Sequence, residues 1–90
     1  MTSFHRWRTS LGWSIAEAAR RLGLSVSRAS DYDKGVSRLR GNATVPDART
    51  RLAMAALAKR PNLEPWPLEP DEEAVAAALT ATRSRARKAG

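Results

Sequence analysis

Ninety residues with sixteen Lys and Arg against nine Asp and Glu give a formal charge of +7 and a pI near 11.3, the balance of a chain that meets a polyanion. That length holds one domain with a small core. The absence of cysteine and the single histidine, His5, exclude disulfides, thiolate or multi-imidazole metal sites and a His-based catalytic pair. With no Gly-rich phosphate loop either, the chain is not expected to be an enzyme or to need a metal or cofactor. The longest apolar run, Leu52 to Ala58, is far short of a membrane span. No apolar segment follows the N-terminal charges His5, Arg6 and Arg8, so a cytoplasmic protein with no membrane partner is expected.

The charge is unevenly spread. Residues 1–60 carry 12 basic against 4 acidic side chains, and residues 61–90 carry 4 against 5. The positive excess therefore belongs to the front of the chain.

In chain order, a first helix is predicted over Ser3 to Leu11, with Phe4, Trp7 and Leu11 on one face and Gly12 after it. Ser14 and Glu17 form an S-x-x-E capping box that opens a second helix, Ile15 to Leu22, with Ala18, Ala19 and Leu22 inward. Gly23 supplies a residue able to turn at positive φ, Leu24 plugs the turn, and Ser25 is a fresh N-cap. A third helix follows over Val26 to Asp33, with Ala29 and Tyr32 inward and Gly35 as its stop. Two helices about a short glycine-containing turn make a helix-turn-helix, the arrangement that lays its second helix in a DNA groove. Val36 to Val45 reads as a basic loop with Arg38 and Arg40. Pro46 and Asp47 open a fourth helix to about Lys59, on which Leu52, Ala53 and Ala56 form one stripe with Met54 and Leu57 beside it. Pro61 to Pro70 holds four of the five prolines and reads as an extended linker. A last helix is expected from Asp71 to Arg83, ahead of a basic tail. The fold class expected is all-α: a compact four-helix helix-turn-helix domain over 1–60, then a Pro-rich linker and a C-terminal helix over 61–90.

Trp7-Arg8, the block Ser14 to Gly35 with its Tyr32-Asp-Lys-Gly35 ending, and Pro46 followed by Arg51-Leu-Ala-Met-Ala-Ala-Leu57 resemble the Xre/Cro-type helix-turn-helix regulators. That family includes phage repressors and many short bacterial regulators. The likeness covers Phe4 to Ala58 and implies a lambda-repressor-like fold that binds double-stranded DNA. Carried over residue by residue, it implies base-reading positions at Ser25, Val26, Ser27, Ser30, Asp31 and Lys34. Val26 suits a thymine methyl, the serines suit many base edges, and Asp31 can accept from cytosine N4 or pair with Arg28 and orient it. Guanine reading falls to Arg28 or Lys34. Phosphate contacts are expected from Arg8, Ser14, Arg28, Arg38 and Arg40. The sequence departs from the family at Ile15, where a phosphate-binding Gln is usual, leaving Ser14 or Arg28 to replace that contact. It departs again in the longer Val36–Val45 loop, either a second DNA contact or a longer connection.

A module this small reads too few base pairs to find one site, so a homodimer on a pseudo-palindromic operator is expected, acting as a repressor by occlusion. The apolar residues left over for its interface are Leu63, Trp66, Leu68, Val75 and Leu79. The competing surface is helix four, through Met54 and Leu57. Trp66 can dock back on its own domain or across the dimer. Two other readings stand beside the regulator: the DNA-binding antitoxin of a toxin–antitoxin pair, whose C-terminal part holds a small protein partner, and a non-specific nucleic-acid-binding protein.

Overall fold

Short polar side chains before each apolar run satisfy the backbone amides that a helix start leaves without partners. In the computed structural model, which describes residues 1–37, 41–60 and 64–78, Thr2, Ser14, Ser25 and Asp47 all do this. Each accepts a hydrogen bond from the amide three residues on, opening α1 (Ser3–Ser10), α2 (Ile15–Leu22), α3 (Val26–Lys34) and α4 (Ala48–Leu57). A fifth helix, α5, covers residues 70–78. The rest of the helix expected to Arg83, with the basic tail, lies outside the described residues. Among the described residues there is no strand, only one antiparallel bridge between Val36 and Ala43. The molecule is all-helical.

Gly23 ends α2 and Gly35 ends α3, both in the left-handed region at φ 72° and 81°. α4 stops differently. Lys59, a non-glycine residue, takes φ 59°, and the amides of Lys59 and Arg60 bond back to the carbonyls of Ala56 and Ala55. That paired arrangement is a Schellman motif, and it ends the helix before Pro61 is reached.

Phe4, Trp7, Ala18, Ala19, Ala29, Tyr32 and Met54 form the core. The alanines of α2 and α3 let those two helices approach closely, while α1 supplies the bulk. The Phe4 ring lies 5.4 Å from Trp7 and 6.0 Å from Tyr32, and Trp13 meets Trp7 edge-on at 5.6 Å. The indole N–H of Trp7 is buried and donates to the Met54 carbonyl at 2.8 Å, joining α1 to α4. On α4 the Leu52–Ala53–Ala56 stripe points outward, and Met54 and Ala55 are the buried residues. From Leu52 to Leu57 every residue of this helix is apolar, so periodicity could not choose a face there; the partner indole does.

The proline-rich stretch does not run free of the domain. The Trp66 amide donates to the Arg51 carbonyl at 2.9 Å, and Arg51 Nη1 donates back to the Trp66 carbonyl at 3.3 Å. The Trp66 ring packs against the core beneath the Arg60 guanidinium, 5.0 Å away. Further on, the buried Glu72 carboxylate accepts from the amides of Ser3 (3.0 Å) and Glu69 (2.9 Å), and Arg6 pairs with Glu69 at 3.0 Å. Ser3 N–H is one of the orphan donors of α1, so a carboxylate from α5 caps the first helix. Trp66 is therefore bound to its own chain, and Met54, offered above as part of a rival dimer surface, is fully buried.

Candidate nucleic-acid interface

α2, Gly23, Leu24, Ser25 and α3 set the geometry of the surface singled out from the sequence. Leu24 and Leu22 pack on the core, and the Leu24 amide bonds to the Ala19 carbonyl at 2.9 Å. Burial of Ala29 and Tyr32 turns the opposite side of α3 to solvent. Ser25, Val26, Ser27, Arg28 and Lys34 are exposed, and Ser30 and Asp31 are half-buried. Val26 is 56% exposed, a large apolar side chain in water at the first turn of α3. These residues share one helix and are brought together. Val36 (46%), just after α3, and Leu52 (42%) on α4 are also exposed large apolar residues.

Arg28 leans along α3 so that Nη1 lies 3.5 Å from the Tyr32 hydroxyl. Hydrogen bonding to Tyr32 raises the guanidinium pKa above its ordinary value, with the charges of Asp31 and Asp47 adding to it. The N-cap of α4 therefore lies within electrostatic reach of α3, a proximity that no spacing in the sequence signals.

Ser14 is exposed, and its hydroxyl accepts from the Glu17 amide at 3.1 Å, the serine arm of the capping box. The Glu17 carboxylate is engaged by Arg20 and, at 2.7 Å, by Arg21. Hydrogen bonds from Arg21 and then Arg20 hold that carboxyl below its usual range. Arg21 also covers the Trp13 ring at 5.0 Å. Ile15 packs on the core, which accounts for an apolar residue at the first position of α2.

Arg8, expected among the phosphate contacts, is committed inside the fold. Its Nε donates to Asp33 Oδ1 at 2.6 Å, Nη2 to Asp33 Oδ2 at 3.3 Å, and Nη1 to the Trp13 carbonyl at 3.1 Å. His5, read from the sequence as a surface residue, is half-buried with Nδ1 3.3 Å from Asp33. Thr2 completes the cluster by donating to the Asp33 carbonyl at 2.8 Å. Burial pushes the Asp33 carboxyl up, but the hydrogen bonds from Arg8 and His5 outweigh it and hold the group below its ordinary value. Asp33 is the residue that sequence reasoning missed. Its one available signal was an acidic side chain near the end of α3, where the helix dipole alone would favour a base.

Arg38 and Arg40, and Leu63 and Leu79 of the expected interface, lie outside the described residues. Leu68 and Val75 are half-buried. Among the described residues no helix is long and apolar enough to cross a membrane, and no group of His, Cys, Asp and Glu could hold a metal ion. Compared with protein families, curated proteins and solved structures, the chain matches none of them.

Proposed function

We propose that this chain is a sequence-specific double-stranded DNA-binding regulator of the helix-turn-helix type, acting as a homodimer on a pseudo-palindromic operator. The observation that carries the reading is the exposed first turn of α3 behind the Gly23–Leu24–Ser25 turn. Ser25, Val26, Ser27 and Arg28 stand in solvent there, while Ala29 and Tyr32 anchor the same helix. A helix buried along one side and exposing short polar and apolar groups at its N-terminus fits a major groove, which admits one helix. Val26 meets a thymine methyl; Ser27 and Ser30 bond base edges; Arg28 reads guanine or holds a phosphate. Ser14 at the start of α2 adds a backbone contact, and the net charge of +7 supplies the salt-dependent attraction. Occupying the operator represses by excluding the polymerase.

Selection of bound duplexes from a random library with the full chain tests this reading. Enrichment of a two-fold sequence is expected, with log–log salt dependence close to −0.9 per phosphate neutralised. Ser27→Ala should alter the preferred base at one position in each half-site, by on the order of 1–3 kcal/mol. Equal affinity for selected and random duplex at physiological salt removes the specific regulator and leaves non-specific binding.

A further inference from the structure

We infer that the Tyr32 hydroxyl is a positioning group for DNA binding: it holds Arg28 on the flank of α3, where the guanidinium clamps a backbone phosphate and reads no base. The inference rests on the DNA-binding reading above and decides between the two roles left open there for Arg28.

The flank follows from the burial pattern of α3. Ala29 and Tyr32 are buried, and Asp33 turns inward to Arg8 of α1. In a helix of about 3.6 residues per turn, the direction opposite these three passes through Ser27, Asp31 and Lys34. Arg28 stands between that outward line and Tyr32, which follows it one turn later. Its side chain therefore leaves the helix sideways, while Ser27 faces straight out. Base edges line the floor of a groove and phosphates form its rim, so a sideways arginine meets the backbone first.

The side chain is also held in that direction. Arg28 Nη1 lies 3.5 Å from the Tyr32 hydroxyl, an i, i+4 pair along one flank. The phenol is a fixed post, because its ring is buried in the core 6.0 Å from Phe4. Asp31 on the same helix and Asp47 at the N-cap of α4 add charges that favour the guanidinium there. An arginine free in water loses rotamer freedom when it binds, and one already held loses less. Only Nη1 meets Tyr32, so the Nε–Nη2 edge suits the two-pronged contact that phosphate oxygens accept. With Arg8 committed to Asp33, Arg28 is the exposed arginine of α3 left for that contact.

The test uses the full chain and a duplex recovered by the selection above. Arg28→Ala should weaken selected and random duplexes alike and lower the salt slope by about one, with base preference unchanged. Tyr32→Phe keeps the buried ring and removes only the hydroxyl. It should weaken binding about fivefold, the scale of one hydrogen bond. In the Arg28→Ala background the same change should add nothing, whereas a hydroxyl that served only the fold would cost as much in both. A scan that replaces one phosphate at a time by a neutral methylphosphonate locates the contact. One position in each half-site should weaken the parent and leave Arg28→Ala unaffected. A changed base preference in Arg28→Ala makes Arg28 a base reader and overturns the inference. So does an equal loss from Tyr32→Phe in both backgrounds, no loss in either, or a scan in which no phosphate depends on Arg28. In those cases α3 recognition still stands. If selection enriches no duplex, the α3 reading falls and this inference falls with it.

Discussion

Asp33 shows how one side chain can tie the end of α3 to α1, beside the buried Tyr32. Its carboxylate takes Arg8 and His5 from α1, and its carbonyl takes Thr2. Because the folded carboxyl lies below its ordinary value, its contribution to stability is complete above the unfolded pKa and lost as pH falls through the folded one. Asp33→Asn is expected to cost about 1.5–3 kcal/mol at neutral pH, the scale of hydrogen bonds to a charged group. Urea unfolding at pH 7 and pH 3 checks the sign: the gap between the two proteins should narrow in acid. A gap that stays constant or widens would assign the effect to packing. Arg8→Lys should lose much of the same energy, because the ammonium cannot reproduce the two-pronged contact.

Among the elements, the stretch from Glu64 through α5 carries more of the domain's stability than its prolines suggest. Trp66 covers the core beneath Arg60, and Glu72 caps α1. Trp66→Ala should therefore destabilise the whole domain by about 2–3 kcal/mol, the scale for removing a large apolar side chain from cover. Truncation after Arg60 should lower the thermal midpoint for the same reason. Thermal unfolding followed by far-ultraviolet circular dichroism reports both. A truncated chain as stable as the full one would make the docking of this stretch energetically idle. Glu72→Gln, which keeps an acceptor for the Ser3 amide but no charge, should cost less than Glu72→Ala.

Over the whole molecule, the engagement of Trp66 and the burial of Met54 restrict where two copies can meet. For the proposed homodimer, the exposed Leu52, Ala53 and Ala56 of α4 offer an apolar surface among the described residues. Leu52→Asp is expected to leave the fold intact, since Leu52 is exposed and stands outside the core cluster, and to convert a dimer into a monomer that binds a two-fold operator weakly. Sedimentation of the variant and of the parent decides it. A Leu52→Asp protein that still dimerises moves the interface to Leu68, Val75 and the segments beyond. A parent that is monomeric both free and on its operator removes the homodimer.

Local rules acting over a few residues were legible without any structure. Ser14, Ser25 and Asp47 as caps, Gly23 and Gly35 as left-handed stops, and Phe4 and Trp7 on one face of α1 each depend only on near neighbours. The all-helical class and the inward faces of α2 and α3 follow from those signals. Three features depend on partners far along the chain. The buried face of α4 is chosen by the Trp7 indole 47 residues away, the Arg8–Asp33 clasp spans 25 residues, and Glu72 reaches Ser3 across 69. An apolar helix, a surface-type arginine and a proline-rich stretch look alike in sequence whether they are free or engaged. Only the tertiary fold brings in the carboxylate, carbonyl or aromatic ring that distinguishes the two, because desolvation and hydrogen bonding are properties of the assembled site.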